Sequence, residues 1–138
     1  MNTSQKILKQ LLLSGALYFF LVSLAHMIGI KIPGLFIYFN VPSYAYQDKI
    51  ISFLAFGWAM FLYSGFRSVK SNVISPVKYI LASGVAAIVG LSVINRTTDF
   101  NSFSNKINPG IFWLEIVGLC IYLIVLTILY YRVKNNRA

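Results

Sequence analysis

The sequence predicts an all-α integral membrane protein, with four transmembrane helices in a compact bundle. Hydrophobic residues make up 58% of the chain and charged residues only 11%, whereas about a quarter of the residues in a soluble domain are charged. The apolar residues also fall into four runs, each close to the roughly 20 residues that a helix needs to cross a bilayer. A chain of 138 residues is expected to form a single domain.

The first predicted span covers residues 9–30. The stretch from Leu11 to Ile30 contains no Asp, Glu, Lys or Arg. The tripeptide Ser23-Leu24-Ala25 loosely resembles a signal cleavage site. The hydrophobic part of a signal peptide, however, is only about 7–15 residues long, so we expect a helix that stays in the membrane.

The second span is predicted over residues 47–66, with Ser43 as its N-cap. Before it lies an aromatic segment, residues 35–46, which is too apolar for a solvated loop and too short to cross a bilayer. Its aromatic residues include Phe36, Tyr38, Tyr44 and Tyr46. Such a segment is expected in the headgroup layer or across the mouth of the bundle. An aromatic anchor at the interface is favoured over a cover for a ligand site.

The third span is predicted over residues 76–94, and Ser75-Pro76 supplies an N-cap followed by a proline at the first helical position. Ala82, Ala86 and Gly90 recur at a spacing of four. Small residues on one face allow helices to approach closely in lipid. We therefore expect this helix to make the central contacts of the bundle, or to pair with a second copy. The fourth span, residues 110–131, begins after Asn108-Pro109.

The basic residues predict the orientation of the spans. Eight Lys and Arg residues fall on the side where the chain begins and four on the opposite side. The eight are Lys6, Lys9, Arg67, Lys70, Lys78, Arg132, Lys134 and Arg137, and the four are Lys31, Lys49, Arg96 and Lys106. Because basic residues are enriched on the cytoplasmic side, we expect a protein of the inner or plasma membrane with both chain ends in the cytoplasm.

The candidate site is a polar layer near the outer boundary of the membrane. His26 and Glu115 both lie about 6 Å below that boundary, at the rise of an α-helix. Ionisable residues within a membrane usually face a partner or a cavity, so we expect a His26–Glu115 pair if the first and fourth helices are neighbours. Asp48 and Arg96 fall in the same layer. The layer is either a clamp between helices, which is favoured, or a polar pocket that binds a ligand or relays protons.

Several functions are disfavoured by what the sequence contains. The net charge of +9 comes from residues that flank the apolar runs, which suits lipid headgroups better than nucleic acid. The single cysteine, Cys120, excludes an internal disulfide and a CxxC redox centre. The sequence predicts no metal site and gives no indication of a particular cofactor. It contains neither a phosphate-binding loop nor a nucleophile elbow.

Four spans in a short chain are similar to the outline of the DoxX-like proteins and of the small multidrug-resistance transporters. The latter depend on a membrane-embedded glutamate in their first helix, and the first predicted span here has no acid. The former comparison rests on size and span count, which do not indicate function.

We expect a non-catalytic accessory or interaction subunit of a membrane assembly, whose partners are the bilayer and another membrane protein or a second copy. The alternatives are a small transporter or proton-coupled carrier that uses the polar layer, and a protein that binds a lipid or another small ligand.

Overall fold

A computed structural model describes residues 3–33, 36–103 and 107–136. It contains four long helices and one short 3₁₀ helix, Phe100–Ser102. The long helices are α1 (Thr3–Met27), α2 (Ala45–Lys70), α3 (Val77–Thr97) and α4 (Pro109–Asn135). Each is long and apolar enough to cross a membrane, which confirms the prediction of an all-helical chain with four such helices. Three residues used in the predictions, Leu35, Lys106 and Arg137, lie outside the described residues.

Helix α1 ends three residues earlier than predicted because a glycine stops it. Gly29 has a φ of 76°, in the left-handed region where glycine is favoured. The N–H of Gly29 donates to the carbonyl of His26 at 3.2 Å, and that of Ile30 donates to the carbonyl of Ala25 at 2.9 Å. This is a Schellman motif, which satisfies the last carbonyls of the helix.

The start of α2 differs from the prediction. Tyr44, rather than Ser43, is the N-cap, and the side chain of Gln47 accepts a hydrogen bond from the N–H of Tyr44 at 2.8 Å. The hydroxyl of Ser43 instead donates to Asp48. Helix α4 begins as predicted, since the side chain of Asn108 accepts from the N–H of Gly110 at 3.0 Å.

Helices α1 and α2 form the most extensively packed pair in the bundle. The buried residues of α1 and α2 recur at spacings of three and four, and many of them are small. These small residues are Gly15, Ala16, Ser23 and Ala25 of α1, with Ser52, Ala55, Ala59 and Gly65 of α2. The hydroxyls of Ser23 and Ser52 lie 3.3 Å apart within this seam. Small side chains allow the two backbones to approach closely where burial from water supplies no driving force.

Helix α3 is not the central contact helix that its sequence predicted. Ala82, Ala86 and Gly90 are all exposed rather than buried against another helix. Its inner face contacts α4 through Gly84, where an added Cβ would come within 2.8 Å of the side chain of Leu123. The expectation of central contacts was wrong because α1 and α2 present a second set of small residues, and those are the residues that the bundle buries. Pairing of α3 with a second copy stays a prediction.

The bundle is closed at the end where α1 begins. A continuous core fills this end, formed by Leu8, Leu12, Ala16, Leu62, Val69, Val77, Ile80, Leu126, Leu129, Tyr130 and Val133. The amide of Gln5 donates to the carbonyl of Val69 at 3.2 Å. The hydroxyl of Tyr122 donates to the carbonyl of Leu11 at 2.8 Å, which joins α4 to α1. At the opposite end the described core consists of two smaller clusters, and the helices leave a cavity between them.

Candidate functional site: a cavity with a polar end

A cavity of about 780 Å³ lies inside the bundle, a volume within the range of roughly 300–1,000 Å³ typical of small-molecule sites. Helices α2 and α3 make few contacts with one another, and Ile80 packs over Gly65 near their connection. Residues Asp48 and Leu62 of α2 both line the cavity. The cavity therefore extends over about 21 Å along the helix, at the α-helical rise per residue.

The walls of the cavity are almost entirely apolar. Helices α1, α2, α3 and α4 all contribute, with Phe19, Val22, Trp58, Ala87, Leu91, Leu119 and Leu123 among the lining side chains. Ile51 and Leu54 of α2 and Ile94 of α3 line the cavity and are also exposed on the outside of the bundle. The cavity therefore has a lateral opening between α2 and α3.

Polar side chains are concentrated at one end of the cavity, where they form a chain of hydrogen bonds. The ammonium of Lys31 donates to the carbonyl of Val41 at 3.0 Å and to the hydroxyl of Ser43 at 2.6 Å. The Ser43 hydroxyl donates to Oδ1 of Asp48 at 2.9 Å, and Nδ1 of His26 lies 3.3 Å from the same oxygen. We call His26, Lys31, Ser43 and Asp48 the polar cluster. It ties the end of α1 to the connecting segment and to the start of α2.

The first part of the aromatic segment covers this end of the cavity. The ring of Phe36 is buried and stacks on His26, with 4.7 Å between ring centroids. Tyr38 packs against Phe112 and Phe100, at centroid distances of 4.8 and 5.5 Å. The Tyr38 hydroxyl donates to the carbonyl of Leu91 on α3 at 3.4 Å. The cover is thus attached to α1 on one side and to α3 and α4 on the other.

The environment of Tyr38 alters its ionisation. Burial raises the pKa of the Tyr38 phenol, and the negative charge that Glu115 carries when it is ionised raises it further. The second part of the aromatic segment behaves differently, since Tyr44 and Tyr46 are exposed and stack on each other with centroids 6.0 Å apart. Phe36 and Tyr38 therefore line the cavity, while Tyr44 and Tyr46 do not.

Two of the four residues predicted for the polar layer are in contact. His26 pairs with Asp48, so the predicted His26–Glu115 pair does not form. Helices α1 and α4 are neighbours, as the prediction required, but His26 shares the face of α1 that packs on α2. Glu115 instead lies within electrostatic range of Tyr18 and Tyr38. Arg96 is exposed on α3.

Lys31 was not predicted as a site residue. Ser43 was predicted as the N-cap of α2, but it belongs to the polar cluster instead. A signal for Lys31 was present, since it is the only Lys or Arg between Lys9 and Lys49 and directly follows the apolar run of α1. Nothing in the sequence shows that the connecting segment folds back so that Val41 accepts from Lys31.

Within residues 3–33, 36–103 and 107–136, no three His, Cys, Asp or Glu side chains come together as a group able to hold a metal ion. Comparisons with protein families, with curated proteins and with solved structures give no match to this chain.

Proposed function

We propose that this protein resides in a membrane and binds a lipid-like amphiphile. The apolar part of the ligand occupies the cavity, and its polar group contacts the polar cluster. The observation that carries this proposal is the combination of a cavity of about 780 Å³, walls built mostly from apolar side chains, and a cluster of charged and hydroxyl side chains at one end. A few polar groups at defined positions in an apolar pocket are typical of sites that orient a ligand.

The opening between α2 and α3 supports an amphiphile rather than a water-soluble ligand. Ile51, Leu54 and Ile94 line it, and a ligand that enters between two transmembrane helices comes from the lipid phase. The length of about 21 Å, from the helical rise, suits an extended chain of methylene groups. Each buried methylene contributes about 0.8 kcal/mol to transfer from water, but a ligand already in lipid gains little of this. The polar cluster therefore supplies most of the selectivity.

The chemistry of the polar cluster favours an oxygen-rich headgroup. A lysine ammonium carries three N–H donors, and Lys31 directs two hydrogen bonds to Val41 and Ser43. The remaining donor is available for a phosphate, ester or hydroxyl oxygen of the ligand. Asp48 is already held by Ser43 and His26, so the net attraction of the cluster is for an acceptor.

The exposed outer face of α3 favours a second candidate function, that of an accessory subunit. Ala82 and Ala86 are small, exposed and outside the cavity lining, so they leave room for another helix to approach closely. Gly90, the third residue of this series, is exposed but also lines the cavity. The partner is another membrane protein or a second copy of this chain. Such a role is compatible with ligand binding because Ala82 and Ala86 do not contact the cavity.

The distribution of basic residues supports an orientation in which the closed end of the bundle faces the cytoplasm and the polar cluster faces outward. The membrane is the inner or plasma membrane. A fluorescent protein that matures only in the cytoplasm, fused after residue 138, should fluoresce in whole cells. A fusion protein that is present in the membrane at normal levels but does not fluoresce would contradict this orientation.

The proposed function is tested by the native mass of the protein after gentle extraction. We expect a monomer that carries the additional mass of one amphiphile, which organic solvent removes and mass spectrometry identifies. A protein of bare mass, under conditions that retain lipids on a reference membrane protein, would contradict ligand binding. A complex with a different chain would instead support the accessory role.

A further inference from the structure

Glu115 is a buried carboxyl group that the polar cluster does not use. It lies on α4, and both of its carboxylate oxygens are buried without a hydrogen-bond partner among the described residues. An ionised carboxylate in apolar surroundings is strongly disfavoured unless a cation or several donors compensate its charge. Ionisable residues inside membrane helices commonly mark functional sites for the same reason.

We propose that Glu115 is a neutral, protonated carboxylic acid at neutral pH and forms a proton-binding site beside the cavity. This proposal does not depend on the identity or presence of a ligand. It rests on the burial of both oxygens and on the groups that surround them.

Among residues 3–33, 36–103 and 107–136, no Lys, Arg or His side chain pairs with Glu115. Tyr18 of α1 and Tyr38 of the aromatic segment are within electrostatic range, and both are phenols that are uncharged at neutral pH. Helix α3 brings no ionisable side chain to its inner face, since Arg96 is exposed. Asp48 on α2 is held by His26 and Ser43. A proton is therefore the ligand that this carboxyl group takes.

Glu115 is not part of the cavity lining, but two residues within its electrostatic range are. Tyr18 and Tyr38 both line the cavity, whereas Glu115 does not. Tyr38 is attached to α3 by a long hydrogen bond of 3.4 Å to the carbonyl of Leu91, and its backbone has a φ of 67°. Displacement of Tyr38 would open a path between Glu115 and the cavity.

Reaction with dicyclohexylcarbodiimide tests the protonation state. The protonated carboxyl group adds across one C=N bond of the reagent: the carboxyl oxygen bonds to carbon, the proton moves to nitrogen, and nothing leaves. We expect purified protein at pH 7 to gain one adduct, located on Glu115 by peptide mass spectrometry, with Asp48 and the exposed Asp99 unmodified. The adduct should be absent from Glu115→Gln, and labelling should slow as the pH rises and the acid ionises.

The role of Tyr38 is tested with two substitutions. Tyr38→Ala removes a ring that lies within electrostatic range of Glu115 and should increase the labelling rate several-fold, whereas Tyr38→Phe keeps the ring and should leave the rate near that of the wild type. Equal rates for Tyr38→Ala and Tyr38→Phe, in proteins of matched thermal stability, would overturn the assignment of Tyr38 as the barrier.

Infrared spectroscopy decides the protonation state where the reagent fails to reach the site. A protonated carboxyl group has a C=O stretching band, separate from that of a carboxylate, which Glu115→Gln should remove. If the wild type and Glu115→Gln have the same spectrum in that region at pH 7, Glu115 is ionised and the proposal is wrong. A band that disappears in Glu115→Gln supports the proposal even if no adduct forms.

Discussion

Asp48→Ala should lower the free energy of unfolding by about 2–3 kcal/mol, because hydrogen bonds to a charged group contribute about 1.5–3 kcal/mol. Asp48 accepts from the hydroxyl of Ser43 at 2.9 Å and lies 3.3 Å from Nδ1 of His26. The side chains of His26 and Asp48 are only 11% and 13% exposed. Truncation therefore leaves two polar side chains without their partner in a place where water replaces it poorly.

Asp48→Asn is the matched control, because an asparagine keeps an acceptor oxygen for Ser43. We expect it to lose less stability than Asp48→Ala. Asp99→Ala is a second control: Asp99 is exposed and caps only the short 3₁₀ helix Phe100–Ser102. Thermal unfolding in a mild detergent measures all three. If Asp48→Ala and Asp99→Ala destabilised equally, the polar cluster would not stabilise the bundle.

Gly15→Ala should lower the free energy of unfolding by about 1–3 kcal/mol, the usual cost of inserting a methyl group into a well-packed core. A Cβ at Gly15 would collide with the hydroxyl of Tyr122 and come within 3.2 Å of a methyl group of Leu62. Tyr122 would then lose its hydrogen bond to the carbonyl of Leu11, which measures 2.8 Å. The substitution therefore weakens the contact between α1 and α4.

Gly57→Ala separates this clash from the general effect of replacing a glycine. Gly57 also lies inside a helix, but nothing lies within 4 Å of a Cβ added there. Because alanine is favoured over glycine in a helix by about 1 kcal/mol, Gly57→Ala should be neutral or slightly stabilising. The same unfolding assay should therefore give opposite signs for the two substitutions. A loss of stability in both would show that the contact with Tyr122 is not the cause.

The four helices could be predicted from the sequence because the length and hydropathy of a segment are sufficient to identify a membrane-spanning helix, whatever the rest of the chain does. The apolar run after Leu11 and the Asn108-Pro109 start of α4 needed no tertiary information. Which helix faces were buried could not be predicted in the same way. Ala82, Ala86 and Gly90 on α3 have the same character as Ala55 and Ala59 on α2, and only the assembled bundle distinguishes the exposed set from the buried one.

The position of the candidate site along the bundle could be predicted from the sequence, but the partners of its side chains could not. His26, Asp48 and Glu115 were expected near one end of the bundle, and helical rise was sufficient for that. The partner of His26 depends on the rotation of α1, which places this side chain toward α2 and Asp48. Lys31 enters the site because the connecting segment folds back to Val41, and no local pattern indicates that fold.

The most direct test of ligand binding uses two neighbouring alanines of α3. Ala87 lines the cavity, whereas Ala86 is exposed on the outer face. Ala87→Trp should fill the cavity and reduce the amount of amphiphile that co-purifies, measured by solvent extraction and mass spectrometry per mole of protein. Ala86→Trp adds the same side chain outside the cavity lining and should retain the wild-type amount. Equal ligand content in Ala87→Trp and Ala86→Trp, with both proteins folded, would contradict the cavity as the binding site.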